Sequence, residues 1–123
     1  MSYNLDDKLV IAISSRALFD LEKENKIYDE KGLEAYYNYQ LSHEETPLQR
    51  GTAFRFIKNL LSINKDFDDK LIEVIVLSRN NAATGLRIGR SIEHYGLDLE
   101  RIGWAAGTSV VKYLDAFMVD LFL

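Results

Sequence analysis

Three short polar segments contain the residues whose types and positions could bind a ligand. Each follows a run of apolar residues: Ser14-Ser15-Arg16, Ser78-Arg79-Asn80 and Gly107-Thr108-Ser109. A hydroxyl group donates a hydrogen bond to an anion, and a guanidinium group adds a planar pair of donors that fits phosphate or carboxylate. Because all three segments carry hydroxyls and two carry arginine, the sequence predicts an anion site, with a phosphate ester as the most plausible ligand.

The same residue types are also ordinary helix caps. A serine, threonine or asparagine at a strand-to-helix junction accepts hydrogen bonds from the first free N–H groups of the helix. At any one junction the two interpretations are about equally good, and the occurrence of three junctions with two arginines favours a site. The residues predicted from these junctions are Ser14, Ser15, Arg16, Ser78, Arg79, Asn80 and Thr108.

The apolar runs before these segments predict the strands that position them. Lys8–Ser14 and Leu71–Leu77 are rich in β-branched residues, which is typical of strands buried on both faces. Arg101–Ala105 and Val119–Leu123 are shorter candidates. Helices are predicted between the strands, at Ala17–Lys23, Leu33–Leu41, Thr52–Ile63, Thr84–Tyr95 and Val110–Phe117.

This order of elements predicts an α/β fold with three layers, in which a mainly parallel sheet has helices on both faces. In an open parallel sheet, ligands bind beyond the carboxyl ends of the strands. The three polar segments fall at those ends. The 123 residues are expected to form a single domain, 1–123, with a small helical, cap-like insertion after the first strand at 24–50.

Composition excludes several classes of function. The net charge is −4, from 15 basic and 19 acidic residues, which argues against a nucleic-acid surface. No apolar run reaches the ~20 residues that span a bilayer, so no membrane partner is expected. The chain has no cysteine, which excludes disulfides and cysteine-ligated metals and fits a reducing, cytoplasmic compartment.

Four long segments carry a resemblance to a known family. They are VIAISSRALFDLE (10–22), EAYYNYQLSHEETPLQRGTAF (34–54), VIVLSRNNAATGLRIGRSIEHYGLD (74–98) and YLDAFMVDLFL (113–123). In this order they resemble the N-terminal portion of the cytosolic 5'-nucleotidase type I family, which is distantly related to the haloacid-dehalogenase-like phosphatases. The resemblance implies a magnesium-dependent phosphomonoesterase that acts on nucleoside 5'-monophosphates such as AMP.

The resemblance also implies roles for individual residues. Ser78 matches the phosphate-binding hydroxyl of the superfamily, and Lys112 matches the cation that offsets charge. Where the superfamily has two carboxylates after the first strand, this chain has Ser14 and Arg16, and the family's downstream Asp-Gly-Asp-Ala-Val motif is absent from these residues. The chain is therefore expected to supply phosphate-binding residues without the nucleophile or a full set of Mg²⁺ ligands, and to show little or no hydrolysis alone.

Two further expectations concern the predicted insertion and the sheet edge. Tyr36 and Tyr37 could stack on a purine base, although packing on the core is about twice as common an outcome, and Arg87 is expected on a solvated helix face. The alternative to an enzyme is a non-catalytic α/β interaction or dimerisation module. Its basis is the open sheet edge expected at Val119–Leu123, which a second copy of the chain or a missing C-terminal segment would cover.

Overall fold

The computed structural model describes residues 8–80, 85–99 and 101–123. In chain order its elements are β1 (Leu9–Ser14), α1 (Ser15–Leu18), β2 (Phe19–Asp20), α2 (Glu22–Lys31), α3 (Leu33–Ser42), β3 (Gln49–Arg50), α4 (Phe54–Ile63), β4 (Ile72–Ser78), α5 (Leu86–His94), β5 (Arg101–Trp104) and β6 (Leu121–Phe122), with 3₁₀ turns at Asn64–Asp66 and Val111–Tyr113. No helix in the described ranges is long and apolar enough to cross a membrane.

Four parallel strands form the main sheet, in the spatial order β5-β4-β1-β6. The chain moves outward from β1 to β4 and β5 and then returns to place β6 on the other side of β1. The strand order therefore reverses at the boundary between β1 and β6, which is the kind of point where open parallel sheets bind ligands. The predicted α/β fold with a parallel sheet is confirmed.

One face of the sheet, called here the helical face, is covered by α4 and α5. Its buried strand residues are Ile11, Ile13, Ile72, Val74 and Val76, and they belong to the larger of the two apolar clusters. Phe54, Ile57 and Leu61 recur at helical spacing along α4 and are all buried, so one stripe of that helix packs on the sheet. α5 adds Ile88 and Ile92 to the same cluster.

The opposite face, called here the crossover face, is covered by irregular chain. Its strand residues are Val10, Ala12, Ile75 and Leu77, and partly buried residues of the 105–119 segment pack on them. The prediction of a helix at Val110–Phe117 is wrong, because this segment contains only the 3₁₀ turn Val111–Tyr113. Two adjacent β-branched valines lower its helix propensity, and Met118 at φ 57° ends any regular turn. Of the predicted helical layers, only the one on the helical face is present among the described residues.

A helical hairpin made of α2 and α3 leaves the sheet after β1 and returns before α4. Gly32 joins the two helices at φ 89°, a conformation that glycine adopts without strain. The antiparallel ribbon of β2 and β3 closes the base of the hairpin. The helix predicted at Ala17–Lys23 is wrong in its continuity, because α1 ends at Leu18, the ribbon intervenes and α2 begins at Glu22.

Candidate functional site

The three polar segments predicted from the sequence meet at the carboxyl edge of the sheet. Ser14 lies in register with Leu77, which brings the ends of β1 and β4 side by side, and the Oγ atoms of Ser15 and Ser78 are 3.3 Å apart. The chain that follows β5 runs along the end of β4. Its amide groups donate to the carbonyl oxygens of the β4 segment: Ala105 to Ser78, Ala106 to Asn80 and Gly107 to Arg79.

The serine hydroxyls at this edge already have partners within the chain. The Oγ of Ser14 accepts a hydrogen bond from the Ala17 amide at 3.2 Å, so Ser14 is the N-cap of α1. The Oγ of Ser78 accepts from both the backbone N and the side-chain Nδ2 of Asn80, at 3.2 and 2.9 Å. Ser15 and Ser78 are both buried. Because the Ser14 hydroxyl accepts from the Ala17 amide, the capping interpretation is correct for Ser14.

The two arginines of these segments are exposed to solvent. Arg16 follows Ser15 in α1, and Arg79 follows Ser78 at the end of β4. Within the described ranges neither side chain has an ion-pair partner, whereas Arg87 and Arg101 both do. Two uncompensated guanidinium groups therefore sit on chain segments that converge at the carboxyl edge, and their donors are available to an anion.

Thr108 and Lys112 lie further along the chain from the strand ends. Thr108 donates its hydroxyl to the Ala105 carbonyl oxygen at 2.6 Å, which closes the turn after β5. Lys112 is exposed within the 105–119 segment, and its ammonium group lies 5.2 Å from the centre of the Tyr113 ring. In the described structure, no hydrogen bond or ion pair joins Lys112 to the other predicted site residues.

Tyr36 joins the hairpin to the end of β4. Its hydroxyl donates to Asn80 Oδ1 at 2.6 Å and accepts from Gln40 Nε2 at 3.2 Å. Its ring is buried and meets the ring of Tyr28 edge-on, so it presents no open face on which a base could stack in this conformation. Burial raises the pKa of the Tyr36 hydroxyl, and the hydrogen bonds from Gln40 and to Asn80 oppose that rise. Tyr37 is partly exposed.

A buried ion pair anchors the same hairpin to α5. Arg87 Nη1 lies 2.8 Å from Glu24 Oε1 and donates to Gln40 Oε1 at 3.2 Å, and Arg87 Nε donates to the Thr46 carbonyl oxygen at 2.8 Å. The side chains of Arg87 and Glu24 are 6% and 7% exposed. The expectation that Arg87 lies on a solvated face is wrong. Ser91, four residues further along α5, is buried on the same side and donates to the Arg87 carbonyl oxygen, but no sequence signal distinguishes the buried Arg87 from the exposed Arg90.

The donor groups at the carboxyl edge do not fit Mg²⁺. Magnesium is held through hard oxygen ligands that include one or two carboxylates, and the predicted site residues offer hydroxyl, amide, guanidinium and ammonium groups. The described residues contain no group of three or more His, Asp or Glu side chains placed to hold a metal ion. The described part of the carboxyl edge therefore offers an anion site and not a magnesium site.

Two surface cavities lie away from the carboxyl edge. One, of about 360 Å³, is lined by residues around Lys65 and Tyr95, and the other, of about 410 Å³, is lined by residues around Arg90 and His94. Neither cavity is lined by any of the predicted site residues. The candidate site is therefore distinguished by its converging segments and charges and not by an enclosed volume.

The fold and the strand-end segments define an α/β protein with a parallel sheet and a polar, cationic carboxyl edge. Comparison with known proteins identifies the family. The family model described as 5'-nucleotidase matches residues 1–123, and the chain therefore belongs to the 5'-nucleotidase family, as the sequence resemblance predicts. No solved structure gives a significant match.

A curated relative supports the same assignment. The human protein named cytosolic 5'-nucleotidase 1B is 36% identical over 121 residues, an alignment that covers 94% of this chain and 20% of the relative. The chain thus spans about a fifth of the length of that relative.

Proposed function

We propose that this chain forms the phosphate-binding part of a cytoplasmic 5'-nucleotidase that acts on nucleoside 5'-monophosphates such as AMP. The observation that carries the proposal is the convergence of three hydroxyl-bearing segments at the carboxyl edge of the sheet, beside the strand β1 at which the strand order reverses, with Arg16 and Arg79 exposed and unpaired in the described residues. Family membership supports the class of reaction.

In this proposal the two arginines supply the charge that attracts the phosphate, and neutral donors orient it. Asn80 and the paired hydroxyls of Ser15 and Ser78 form the floor, while Ser14 holds α1 in place as its cap. Thr108 fixes the turn that flanks the floor. Lys112, on the neighbouring 105–119 segment, and the partly exposed Tyr37 form the outer contacts, to phosphate and base respectively.

Hydrolysis requires groups that these strand ends do not offer. A haloacid-dehalogenase-like mechanism needs an aspartate nucleophile with access to the phosphorus and carboxylates that hold Mg²⁺. The segment after β1 reads Ser14-Ser15-Arg16 instead. The proposal therefore assigns binding to this chain and assigns the nucleophile and the metal ligands to residues outside these 123.

Titration of the purified chain with AMP, inorganic phosphate and adenosine tests the binding step. We expect calorimetry to detect AMP and phosphate but not adenosine, with AMP affinity falling about tenfold or more in Arg79→Gln, since hydrogen bonds to charged groups are worth about 1.5–3 kcal/mol. Arg90 is an exposed arginine in the second half of α5, outside the proposed site. Arg90→Gln is therefore the matched control and should bind AMP as the parent does. A folded chain that binds no AMP at millimolar concentration would overturn the proposal.

Phosphate release from AMP with Mg²⁺ tests the second step. The isolated chain is expected to show little or no turnover, because it lacks the aspartate nucleophile. Robust turnover by the isolated chain, abolished by Ser78→Ala, would show that this segment of sequence is catalytic by itself and would contradict the division of roles proposed above.

A second candidate function, an interaction module, rests on the outer edge of β6. Leu121, Phe122 and Leu123 are 46%, 37% and 39% exposed along this edge, and exposed edge strands pair readily with other chains. Light scattering across micromolar concentrations separates the candidates, because self-pairing predicts a mass that rises with concentration. A constant monomer mass would remove self-association as the function.

A further inference from the structure

A single chain of hydrogen bonds runs from the buried ion pair under the hairpin to the serines at the carboxyl edge. It passes from Arg87 to Gln40, from Gln40 to Tyr36, from Tyr36 to Asn80 and from Asn80 to Ser78. Each of its side chains except Asn80 is more than nine-tenths buried. The chain therefore connects the hairpin to the strand ends through groups that water reaches poorly.

The direction of every bond in this chain is set by its first member. Arginine can only donate, so Arg87 donates to Gln40 Oε1 and leaves Gln40 Nε2 to donate to the Tyr36 oxygen. Tyr36 then gives its only proton to Asn80 Oδ1, which turns Asn80 Nδ2 towards Ser78. The orientation of the Asn80 amide is thus fixed by a residue of the hairpin.

The orientation of the Asn80 amide determines the hydrogen bonds of the two hydroxyls at the strand ends, those of Ser78 and Ser15. Ser78 Oγ accepts from the backbone and side-chain N–H groups of Asn80, at 3.2 and 2.9 Å. The Ser15 hydroxyl donates to the same oxygen at 3.3 Å, so one hydroxyl proton of the Ser78–Ser15 pair remains to be donated elsewhere. A hydroxyl pair with one free proton, held beside the exposed guanidinium of Arg16, is suited to an anion.

We propose that Tyr36 is a positioning residue for phosphate binding, because its hydrogen bond to Asn80 holds the Ser78–Ser15 hydroxyl pair in place to donate its remaining proton to an anionic phosphate at the carboxyl edge. The inference rests on the proposed function and deepens it. It replaces base stacking by Tyr36 with a role exerted through Asn80. It also makes the phosphate affinity of the site depend on the docked hairpin.

The test compares Tyr36→Phe, which removes only the hydroxyl, with Tyr28→Phe as the matched control. Tyr28 belongs to the same ring cluster, its side chain is half exposed, and it is not part of the proposed site. We expect calorimetry to show a three- to tenfold weaker affinity for AMP and for inorganic phosphate in Tyr36→Phe, which is the effect of about one hydrogen bond. Tyr28→Phe should bind as the parent does.

A double-mutant cycle with Asn80→Ala separates positioning from a purely structural role. If Tyr36 acts through Asn80, the double variant should bind phosphate no more weakly than Asn80→Ala alone. Thermal denaturation is measured in parallel, and binding is compared well below the midpoint of unfolding. A variant that only loosens the fold would lower the midpoint and leave the affinity of the folded chain unchanged, which would overturn the inference.

Ser15→Ala provides a second route if Tyr36→Phe does not fold. It removes one hydroxyl of the Ser78–Ser15 pair, and it should weaken phosphate binding by a similar factor. Unchanged affinity in Ser15→Ala would also overturn the inference while leaving the proposed function intact. The proposed function itself fails under a different result, namely when the parent chain binds neither AMP nor phosphate.

Discussion

The two faces of the main sheet are covered in different ways. On the helical face, residues of α4 and α5 bury the strands completely, and the hairpin is tied to this layer by the Arg87–Glu24 ion pair. On the crossover face, four buried strand residues meet side chains that are only partly buried. The cover there is a 3₁₀ turn and irregular chain, and Arg101, which pairs with Glu73 between β5 and β4, lies 5.6 Å from the centre of its Phe117 ring.

This difference shows where the molecule gains its stability and where it can adjust. Buried apolar area is the main source of stability, and it is concentrated on the helical face. Segments with few buried apolar contacts are the ones that open at low free energy. The carboxyl edge, where Ser15 and Ser78 meet, lies between these two layers. One side of the candidate site is therefore rigidly supported, and the other is formed by the more weakly packed 105–119 segment.

Removal of the ion pair beneath the hairpin should give the largest loss of stability. Arg87→Met leaves the Glu24 carboxylate buried without its partner, so we expect the free energy of unfolding to fall by about 3–5 kcal/mol. Chemical denaturation followed by circular dichroism measures this. A loss of this size would show that the Arg87–Glu24 pair contributes to the stability of the helical face.

The exposed Lys26–Glu30 pair on α2 provides the control for that experiment. Its atoms are 4.0 Å apart and its side chains are 73% and 60% exposed, so Lys26→Met should change stability by no more than about 0.5 kcal/mol. The double variant Glu24→Leu, Arg87→Met should be less destabilised than Arg87→Met alone, since no charge then stays buried. Equal losses of unfolding free energy in Arg87→Met and Lys26→Met would contradict a stabilising role for the buried Arg87–Glu24 pair.

Matched truncations on the two faces test the comparison directly. Ile57→Ala removes a fully buried side chain from α4, and we expect a loss of about 2–5 kcal/mol. Leu114→Ala removes a similar volume from the crossover face, where the side chain is partly buried, and should cost about half as much or less. Urea denaturation of both variants gives the two values. A larger loss for Leu114→Ala would reverse the comparison.

The strands of the sheet could be predicted because their signal is local. Lys8–Ser14 and Leu71–Leu77 are runs of apolar, mostly β-branched residues, and they match β1 and β4 to within one residue at each end. The β2–β3 ribbon has only two residues on each strand and depends on pairing between Phe19 and Arg50, which no local pattern announces. The helix predicted at Val110–Phe117 does not form, because packing against the crossover face, and not amphipathic spacing, determines the path of the 105–119 segment.

The candidate site could likewise be predicted from the sequence only in part. The sequence predicts the convergence of Ser14, Ser15 and Ser78, because strand ends of a parallel sheet share one edge. It could not predict that Asn80 donates to Ser78 Oγ from both its backbone and its side chain, nor that Tyr36 orients Asn80 from 44 residues away. These contacts join distant segments, and their geometry exists only after the hairpin has docked.

The pH dependence of stability should report the docking of the hairpin through Tyr36. Burial raises the pKa of this hydroxyl in the folded state, so the unfolded chain releases its proton first, near pH 10. The contribution of Tyr36 is therefore fully present below pH 10 and is lost as the pH rises through the folded-state pKa. Denaturation between pH 9 and 11 should show a shallower decline in Tyr36→Phe than in Tyr28→Phe, and parallel curves would contradict this account.

The smallest expected effect is a gain on the helical face. A Cβ added at Gly89 in α5 meets no atom within 4 Å, so Gly89→Ala should raise the free energy of unfolding by about 0.5–1 kcal/mol by favouring the helix. Gly96 also has open space but stands at φ 64° beyond the end of α5, where an alanine is strained. Gly96→Ala should therefore lower stability by about 1 kcal/mol. Opposite signs for two glycines with equal room would show that backbone conformation limits how far α5 can be stabilised, and equal signs would contradict that conclusion.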